Sequence, residues 1–305
     1  MALHPPRIIR AIVDYKIQNP TAPEVEFLLR DAIQLGLNIY QGSPNIAKEI
    51  EELRRRITKT GNQSLLGREL KQPSDQVTWN ATNPTRSRGT ARDLVMRAGG
   101  NPVLFIALAH GGVAAGMDTY LRYCDETGEN NSAFYVARFS TQKLSDVYHQ
   151  LSPTEIYYLQ EQLRGKRPVL FDEDRASGKT LDRAQQFFDG SVFPQGRVIV
   201  VTNLDARGEL MKLGFEKQLL EIDKYGFPDK KKHKLISELY SDKIIEKKYN
   251  DYNNIIIRKN PFNEKYFNKK ESYLDSLYAI YPRKKRGVSQ NSERPLSLAD
   301  FLSQK

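Results

Sequence analysis

Short apolar runs alternate with helical patterns of polar and apolar positions between residues 88 and 223. The predicted strands are 102–108, 133–139, 168–171 and 197–202, and the predicted helices are 91–98, 113–124, 153–164 and 179–188. An apolar run without alternation indicates a strand that is covered on both faces. Because strands that alternate with helices require crossover connections, the pattern predicts an α/β fold with a parallel sheet. Ligands of such sheets bind beyond the carboxyl ends of the strands.

The segment before residue 88 has a helical pattern. Helices are predicted at 6–16, 22–36 and 44–58, followed by a polar connection at 62–86. Ser43 is the expected N-cap of the third helix, with Pro44 at its first helical position. Residues 1–87 are therefore predicted to form a helical N-terminal extension of the α/β core, which spans 88–223.

The segment after residue 223 is polar, lysine-rich and aromatic. Its basic runs include Lys230-Lys231-Lys232 and Arg283-Lys284-Lys285-Arg286, in a chain whose formal net charge is +10. Affinity for a polyanion is one interpretation of this charge, and ordinary solubility is the other. We predict that residues 224–305 form a basic, aromatic C-terminal extension that ends in a tail.

Composition narrows the class of protein. Hydrophobic residues make up 39% of the chain and aromatic residues 10%, which is enough for a packed core. No apolar run approaches the ~18 residues that a membrane span needs, and the first residues lack the pattern of a secretory signal. The single cysteine, Cys124, cannot form an internal disulfide and suits a reducing compartment. We therefore expect a cytoplasmic protein without a membrane partner.

The turn after the third predicted strand carries the most informative residues. It reads Asp172-Glu173, then Asp174-Arg175-Ala176, then Ser177-Gly178-Lys179-Thr180. N–H groups at a helix start, together with hydroxyls, can cradle a phosphate, and Gly178 lets the backbone approach it closely. Two adjacent carboxylates can accept hydrogen bonds from a vicinal diol or hold water bound to Mg²⁺. A P-loop would need glycine at position 173, where Glu173 stands.

A second turn follows the first predicted strand and contains paired glycines. It reads Ala109-His110-Gly111-Gly112 and leads directly into a predicted helix. Glycines between a buried strand and a helix can turn peptide N–H groups towards an anion. This turn is therefore a second candidate anion site.

Together, the two turns resemble the signature of the type I phosphoribosyltransferase family. Two acids, three residues and Ser/Thr-Gly-x-Thr after a buried strand resemble that family's motif for phosphoribosyl pyrophosphate (PRPP). The upstream turn is similar to the pyrophosphate loops of its xanthine-guanine and hypoxanthine-guanine members, with His110 where those members carry a basic residue. The resemblance covers 88–223 and implies the parallel sheet of the type I phosphoribosyltransferase fold.

The resemblance also implies a role for each matching residue. Asp172 and Glu173 would serve catalysis by holding the ribose hydroxyls, and they would bind Mg²⁺ directly or through water. The 5-phosphate would bind Ala176, Ser177, Gly178, Lys179 and Thr180, and the pyrophosphate would bind Ala109, His110, Gly111 and Gly112. A cis or strained peptide is common at the upstream turn in the family, so the Ala109–His110 bond is expected to be unusual. Because members of the family commonly form dimers, the resemblance further implies a homodimer.

The implied activity is a Mg²⁺-dependent transfer of the phosphoribosyl group of PRPP to a nitrogen acceptor, with release of pyrophosphate. A loop at 140–152, which contains His149, would close over PRPP in such an enzyme. Ala176 stands where members that use oxopurines place an acid against the base. The sequence therefore leaves the acceptor open.

Two other functions can use the same fold. One is a non-catalytic regulator that senses PRPP or a nucleotide, and the other is a conflict-system (defence) effector associated with nucleic acid. In both cases nucleic acid or a partner protein would bind the N- and C-terminal extensions, for example through Arg54-Arg55-Arg56. We favour the phosphoribosyltransferase, an enzyme of nucleotide metabolism.

Overall fold

The computed structural model describes residues 5–19, 22–66, 84–139, 151–175, 179–194 and 196–205, and these form an α/β unit. Its helices are α1 (Pro5–Gln18), α2 (Glu24–Tyr40), α3 (Ile46–Lys59), α4 (Gln63–Leu66), α5 (Pro84–Ala98), α6 (Gly112–Thr127), α7 (Pro153–Leu163) and α8 (Lys179–Phe187), and its strands are β1 (Val103–Ala109), β2 (Ala133–Arg138), β3 (Arg167–Asp174) and β4 (Ile199–Leu204). The strands form one sheet in the order β2-β1-β3-β4, and every neighbouring pair is parallel. The predicted α/β fold with a parallel sheet is thus confirmed. None of the described helices is long and apolar enough to cross a membrane.

Strand β1 is an inner strand of the sheet and is buried along its whole length. Successive side chains of a strand point to opposite faces, so complete burial requires cover on both faces of the sheet. Helix α6 provides this cover on one face. At its closest approach, Gly116 lies against Ala107 of β1 and Phe171 of β3.

The close approach of α6 to the sheet depends on Gly116. A Cβ at this position would lie 2.8 Å from Cβ of Ala107 and 3.1 Å from Cδ1 of Phe171. We therefore expect Gly116→Ala to lower the free energy of unfolding by about 1–3 kcal/mol, as overpacking of a core usually does. Denaturant unfolding would measure the change.

Gly89 of α5 offers a matched control, because a Cβ there would meet no atom within 4 Å. Gly89→Ala should leave the free energy of unfolding unchanged or raise it by about 0.5–1 kcal/mol, the usual gain of alanine over glycine in a helix. Equal effects of the two substitutions would contradict the packing described for Gly116.

The start of α3 differs from the prediction. The helix begins at Ile46 after Asn45, two residues beyond the predicted start at Pro44. Ser43 does not cap it. Its Oγ instead accepts a hydrogen bond from the backbone N of Asn45 at 3.3 Å, which places this serine in the turn before the helix.

The prediction that residues 62–86 form a polar connection is wrong at both ends of this segment. Helix α4 forms at its start, and α5 begins at Pro84. The pattern predicted only the second half of α5, at 91–98, because the buried positions of its first half include Ser87 and Thr90, which are polar. Thr90 Oγ1 donates to the carbonyl oxygen of Thr202 at 3.2 Å, so this polar face is satisfied against β4. Residues 67–83 lie outside the described part of the chain.

The N-terminal helices pack directly on the α/β core. Helix α1 contacts α2 and α6, and α2 also contacts β2. The packing is close at Gly36 of α2, where a Cβ would lie 2.6 Å from Cε of Met117 and 3.3 Å from Cδ1 of Ile9. The buried apolar residues of α1 and α2 belong to the same hydrophobic cluster as those of the sheet.

A buried carboxylate, that of Glu155, connects the N-terminal helices α1 and α2 to β2 and α7. Glu155, in the first turn of α7, is 2% exposed. It accepts hydrogen bonds from Oη of Tyr135 at 2.5 Å and from the backbone N of Ser152 at 2.9 Å, and it pairs with Lys16 of α1. Ser152 is the N-cap of α7, as predicted, and its hydroxyl also donates to Glu26 of α2. The network therefore links α1, α2, β2 and α7.

Candidate functional site

The acidic pair lies at the carboxyl end of β3, on the strand itself. The sequence predicted that the strand ends at Phe171, where the apolar run ends. The backbone of β3 continues to pair with β4 as far as Asp174 and Leu204, so the strand includes the acids. Hydrogen bonds of the sheet therefore hold the backbone of Asp172 and Glu173 in place.

Glu173 lies against the paired glycines. By the alternation of a strand, its side chain shares a face with Phe171, and this is the face that α6 covers. The Glu173 carboxyl group occupies the space that a Cβ on Gly111 would need. Its Oε2 is buried and has no hydrogen-bond partner in the described part of the chain. The acidic pair and the Gly111-Gly112 turn are thus in direct contact.

Asp172 sits where its negative charge is disfavoured. Burial raises the pKa of Asp172 well above its ordinary value, and the neighbouring Glu173 and Asp174 carboxylates raise this pKa further. Desolvation and like charge both oppose ionisation. A ligand that donates hydrogen bonds, or a cation, would favour the ionised form, so the pair is suited to bind such a group.

The Ala109-His110-Gly111-Gly112 turn lies at the carboxyl end of β1 and leads into α6. Its Ala109–His110 peptide bond is cis, at the place where the resemblance led us to expect an unusual peptide. Helix α6 begins at Gly112, and its N-cap residue is Gly111, which has no side chain to cap the helix. The first N–H groups of a helix lack intrahelical acceptors and carry partial positive charge, which favours an anion at this turn.

His110 is held at both nitrogens of its ring. Nδ1 lies 3.0 Å from Nη1 of Arg138, and Nε2 lies 2.6 Å from Oδ1 of Asp14. Because a guanidinium can only donate, Nδ1 accepts and the proton of the neutral ring lies on Nε2, which donates to Asp14. Burial lowers the pKa of His110, which favours the neutral ring. The side chain therefore positions the turn without adding a positive charge to it.

The neutral state of His110 predicts a pH dependence of stability. Its folded-state pKa lies below the ordinary value of 6.5, so the unfolded chain binds more protons as the pH falls through about 6.5, and stability is lost. Arg138 and Arg10 face the ring and lower the pKa further, whereas Asp14 raises it. We expect wild type to lose more stability on acidification than His110→Gln, by up to about 1.4 kcal/mol per pH unit. Denaturant unfolding at a series of pH values measures both slopes, and equal slopes would contradict the prediction.

Three residues of the site were not predicted from the sequence: Arg10, Asp14 and Arg138. Arg10 Nε donates to the carbonyl oxygen of His110 at 2.8 Å, and Arg138 Nη1 also donates to that of Ala109 at 3.3 Å. Both arginines are buried, with 8% and 7% of their surface exposed. Arg138 could have been found, since it ends β2 at the edge where ligands of parallel sheets bind. Arg10 and Asp14 gave only a weak signal, as charges within an apolar helix.

The predicted 5-phosphate residues are described only in part. Ala176, Ser177 and Gly178 lie outside the described residues. Lys179 begins α8 and Thr180 follows it, so a helix start is present soon after the acidic pair. Arg175, before this turn, pairs with Asp182 of α8 at 3.1 Å. The start of α8 can supply N–H groups to a phosphate.

Other predicted features also lie outside the described residues. The loop predicted at 140–152, with His149, is described only at its last two positions. The C-terminal extension at 224–305 and the end of the predicted core, from 206 to 223, are not described either.

The acidic pair fits a metal ion that takes most of its ligands from elsewhere. Among the described residues, no group of three or more His, Cys, Asp and Glu side chains is arranged to hold a metal. Asp172 and Glu173 supply two adjacent carboxylates, and one of their oxygens is buried without a hydrogen-bond partner in this part of the chain. Mg²⁺ commonly binds one or two carboxylates and completes its shell with water and substrate phosphates. A magnesium ion here would therefore need the oxygens of a bound ligand.

The acidic pair and two helix starts lie at the same edge of the sheet, at the carboxyl ends of the neighbouring strands β1 and β3. The acidic pair ends β3, one helix start follows β3, and another follows β1, its direct neighbour. Carboxylates suit a sugar diol, and helix starts suit anions. The arrangement can therefore hold a sugar that carries anionic groups on both sides of its hydroxyls.

No family model, curated protein or solved structure matches the chain. What the site binds is therefore inferred from its own residues and geometry.

Proposed function

We propose that this chain is a type I phosphoribosyltransferase-like enzyme, which binds PRPP and transfers its phosphoribosyl group to a nitrogen acceptor. The observation that carries the proposal is the contact between the Glu173 carboxyl group and Gly111. This contact brings together the two turns that resemble the PRPP motif and the pyrophosphate loop. The two sequence signals were found in separate parts of the chain, and their meeting at one sheet edge supports a common ligand.

The proposed ligand matches the site part by part. The start of α8 would receive the 5-phosphate, Asp172 and Glu173 would accept hydrogen bonds from the ribose hydroxyls, and the start of α6 would receive the pyrophosphate. Arg10 and Arg138 lie at the same turn and add positive charge beside it. Anions at helix starts and near arginines are favoured by charge, and the diol is favoured by hydrogen bonding.

The reaction exchanges one bond at C1 of the ribose for another. The bond between C1 and the pyrophosphate oxygen breaks, and that oxygen keeps the electron pair. The acceptor nitrogen forms the new bond to C1 and loses its proton to water or to the released pyrophosphate. The protein contributes positioning of the ribose and stabilisation of the negative charge on the leaving group. Magnesium held at the acidic pair would supply further positive charge to the pyrophosphate when bound.

The experiment that tests this proposal follows the fate of PRPP labelled in its ribose. The full chain is incubated with Mg²⁺, labelled PRPP and a panel of purine and pyrimidine bases and nucleic acids. We expect label in one acceptor and release of pyrophosphate that depends on that acceptor. Binding of PRPP without transfer to any acceptor would favour the regulator, and absence of both binding and transfer would overturn the proposal.

A further inference from the structure

Arg10, on helix α1 of the N-terminal extension, places a buried positive charge at the Ala109-His110-Gly111-Gly112 turn. Its Nε donates to the carbonyl oxygen of His110 at 2.8 Å, which fixes the guanidinium at the His110–Gly111 peptide. In the described part of the chain this is the hydrogen bond that its side chain makes, so the terminal NH₂ groups keep their donors for a ligand. A planar fork of this kind is well suited to phosphate oxygens.

The charge of Arg10 is opposed by burial and compensated by Glu173. Burial lowers the pKa of Arg10, and the Glu173 carboxylate, the largest opposing influence, raises it. The side chain is only 8% exposed, so its charge is poorly hydrated and gains from a close anion. Among the described carboxylates, Glu173 has the largest such influence on Arg10.

Glu173 occupies a place that an anionic ligand would also favour. Its carboxyl group lies against Gly111, at the start of α6, where helix N–H groups attract negative charge. The fit is incomplete, since Oε2 is buried without a hydrogen-bond partner in the described residues. A buried acceptor without a partner is unfavourable, which lowers the cost of displacing this carboxylate by a better anion.

We propose that Arg10 of the N-terminal helix binds the diphosphate group of the ligand. In the absence of ligand, the Glu173 carboxylate occupies the position of that diphosphate group. The inference rests on the proposed function and extends it, because it makes the N-terminal extension part of the ligand site. On binding, the diphosphate takes the position against Gly111 and the terminal NH₂ groups of Arg10. The Glu173 carboxylate is then free to turn towards the ribose hydroxyls.

The test compares two fragments of the ligand on the full chain. Inorganic pyrophosphate and ribose 5-phosphate are titrated separately by calorimetry in buffer without Mg²⁺. We expect Arg10→Gln to weaken pyrophosphate binding about 10- to 100-fold, and Arg10→Lys to weaken it less. Binding of ribose 5-phosphate should change less than about threefold, because that fragment lacks the group that Arg10 contacts. Arg164→Gln, which removes an exposed positive charge just after α7, is the matched control and should change neither affinity.

A second variant tests the role of Glu173 and does not depend on the folding of Arg10→Gln. Glu173→Gln removes the charge that competes with the diphosphate, so pyrophosphate should bind at least about threefold more tightly than to wild type. Unchanged or weaker pyrophosphate binding to Glu173→Gln would contradict the proposed displacement.

The results separate failure of this inference from failure of the proposed function. If wild type and Arg10→Gln bind pyrophosphate equally, Arg10 does not contact the diphosphate, while the proposed function stands as long as both fragments bind wild type. If wild type does not bind pyrophosphate, this inference is wrong, and the proposed function is wrong as well if wild type also fails to bind PRPP in the presence of Mg²⁺.

Discussion

Asp172→Asn is expected to weaken the binding of ribose 5-phosphate about 100-fold while making the folded protein more stable. The loss follows because the ionised carboxylate would accept charge-assisted hydrogen bonds from the ribose diol, each contributing about 1.5–3 kcal/mol. The gain follows because burial and the neighbouring carboxylates disfavour the charge of Asp172 in the absence of ligand. Opposite effects on binding and stability distinguish a functional residue from a structural one.

The stability gain has a defined pH dependence. The folded-state pKa of Asp172 lies above its ordinary value of 3.8, so the folded protein binds more protons than the unfolded chain as the pH rises above that value. Wild type therefore loses stability over this range, and Asp172→Asn does not. We expect the variant to be more stable at neutral pH by about 1–2 kcal/mol, with the difference vanishing below about pH 3.

Denaturant unfolding and calorimetric titration measure the two effects of Asp172→Asn. Asp93→Asn is the matched control, because Asp93 is an exposed residue of α5 that pairs with Arg97 one turn away on the same helix. It should change neither binding nor stability by more than about 0.5 kcal/mol. Loss of stability in Asp172→Asn together with unchanged binding would show that the acidic pair has a structural role.

Glu155→Ala is expected to have the largest effect on stability, a loss of about 3–5 kcal/mol. Removal of the carboxylate takes away the buried acceptor of the Tyr135 hydroxyl and the anion that pairs with Lys16, and it also removes the side-chain half of the capping box of α7. A buried hydroxyl without its acceptor and the loss of a buried ion pair are both costly. Chemical denaturation would measure the loss, with Glu51→Ala, an exposed position of α3, as the control.

A milder variant shows which part of the Glu155 network matters. Glu155→Gln keeps an oxygen that can accept from Tyr135 but removes the charge that pairs with Lys16. We expect its effect to fall between those of wild type and Glu155→Ala. A stable Glu155→Ala variant would mean that the N-terminal helices are held to the core by other contacts.

The sheet could be predicted from the sequence because its inner strands are apolar on both faces. Continuous runs such as that of β1 leave few alternatives in a chain where helices separate the strands. The end of β3 could not be predicted in the same way. Asp172 and Glu173 interrupt the apolar pattern, but backbone pairing with β4 depends on a neighbour that is distant in the sequence.

The parts of the site that local patterns encode were predicted, and those that depend on packing were not. The acids and the paired glycines follow strands directly, so their spacing along the chain carries the signal. Arg10 reaches His110 only because α1 packs on α6, and no local pattern shows which turn a helix residue will meet. The neutral ring of His110 likewise depends on Asp14 and Arg138, which come from two other elements.

Titration of PRPP with the full chain and Mg²⁺, observed by phosphorus NMR, tests the central claim most directly. PRPP carries separate signals for its 5-phosphate and for the two phosphates of its pyrophosphate. If the edge formed by β1 and β3 binds PRPP as proposed, all of these signals shift or broaden with wild type, and they do so far less with Asp172→Asn. Signals that stay unchanged in the presence of wild type at excess protein would contradict the proposed ligand.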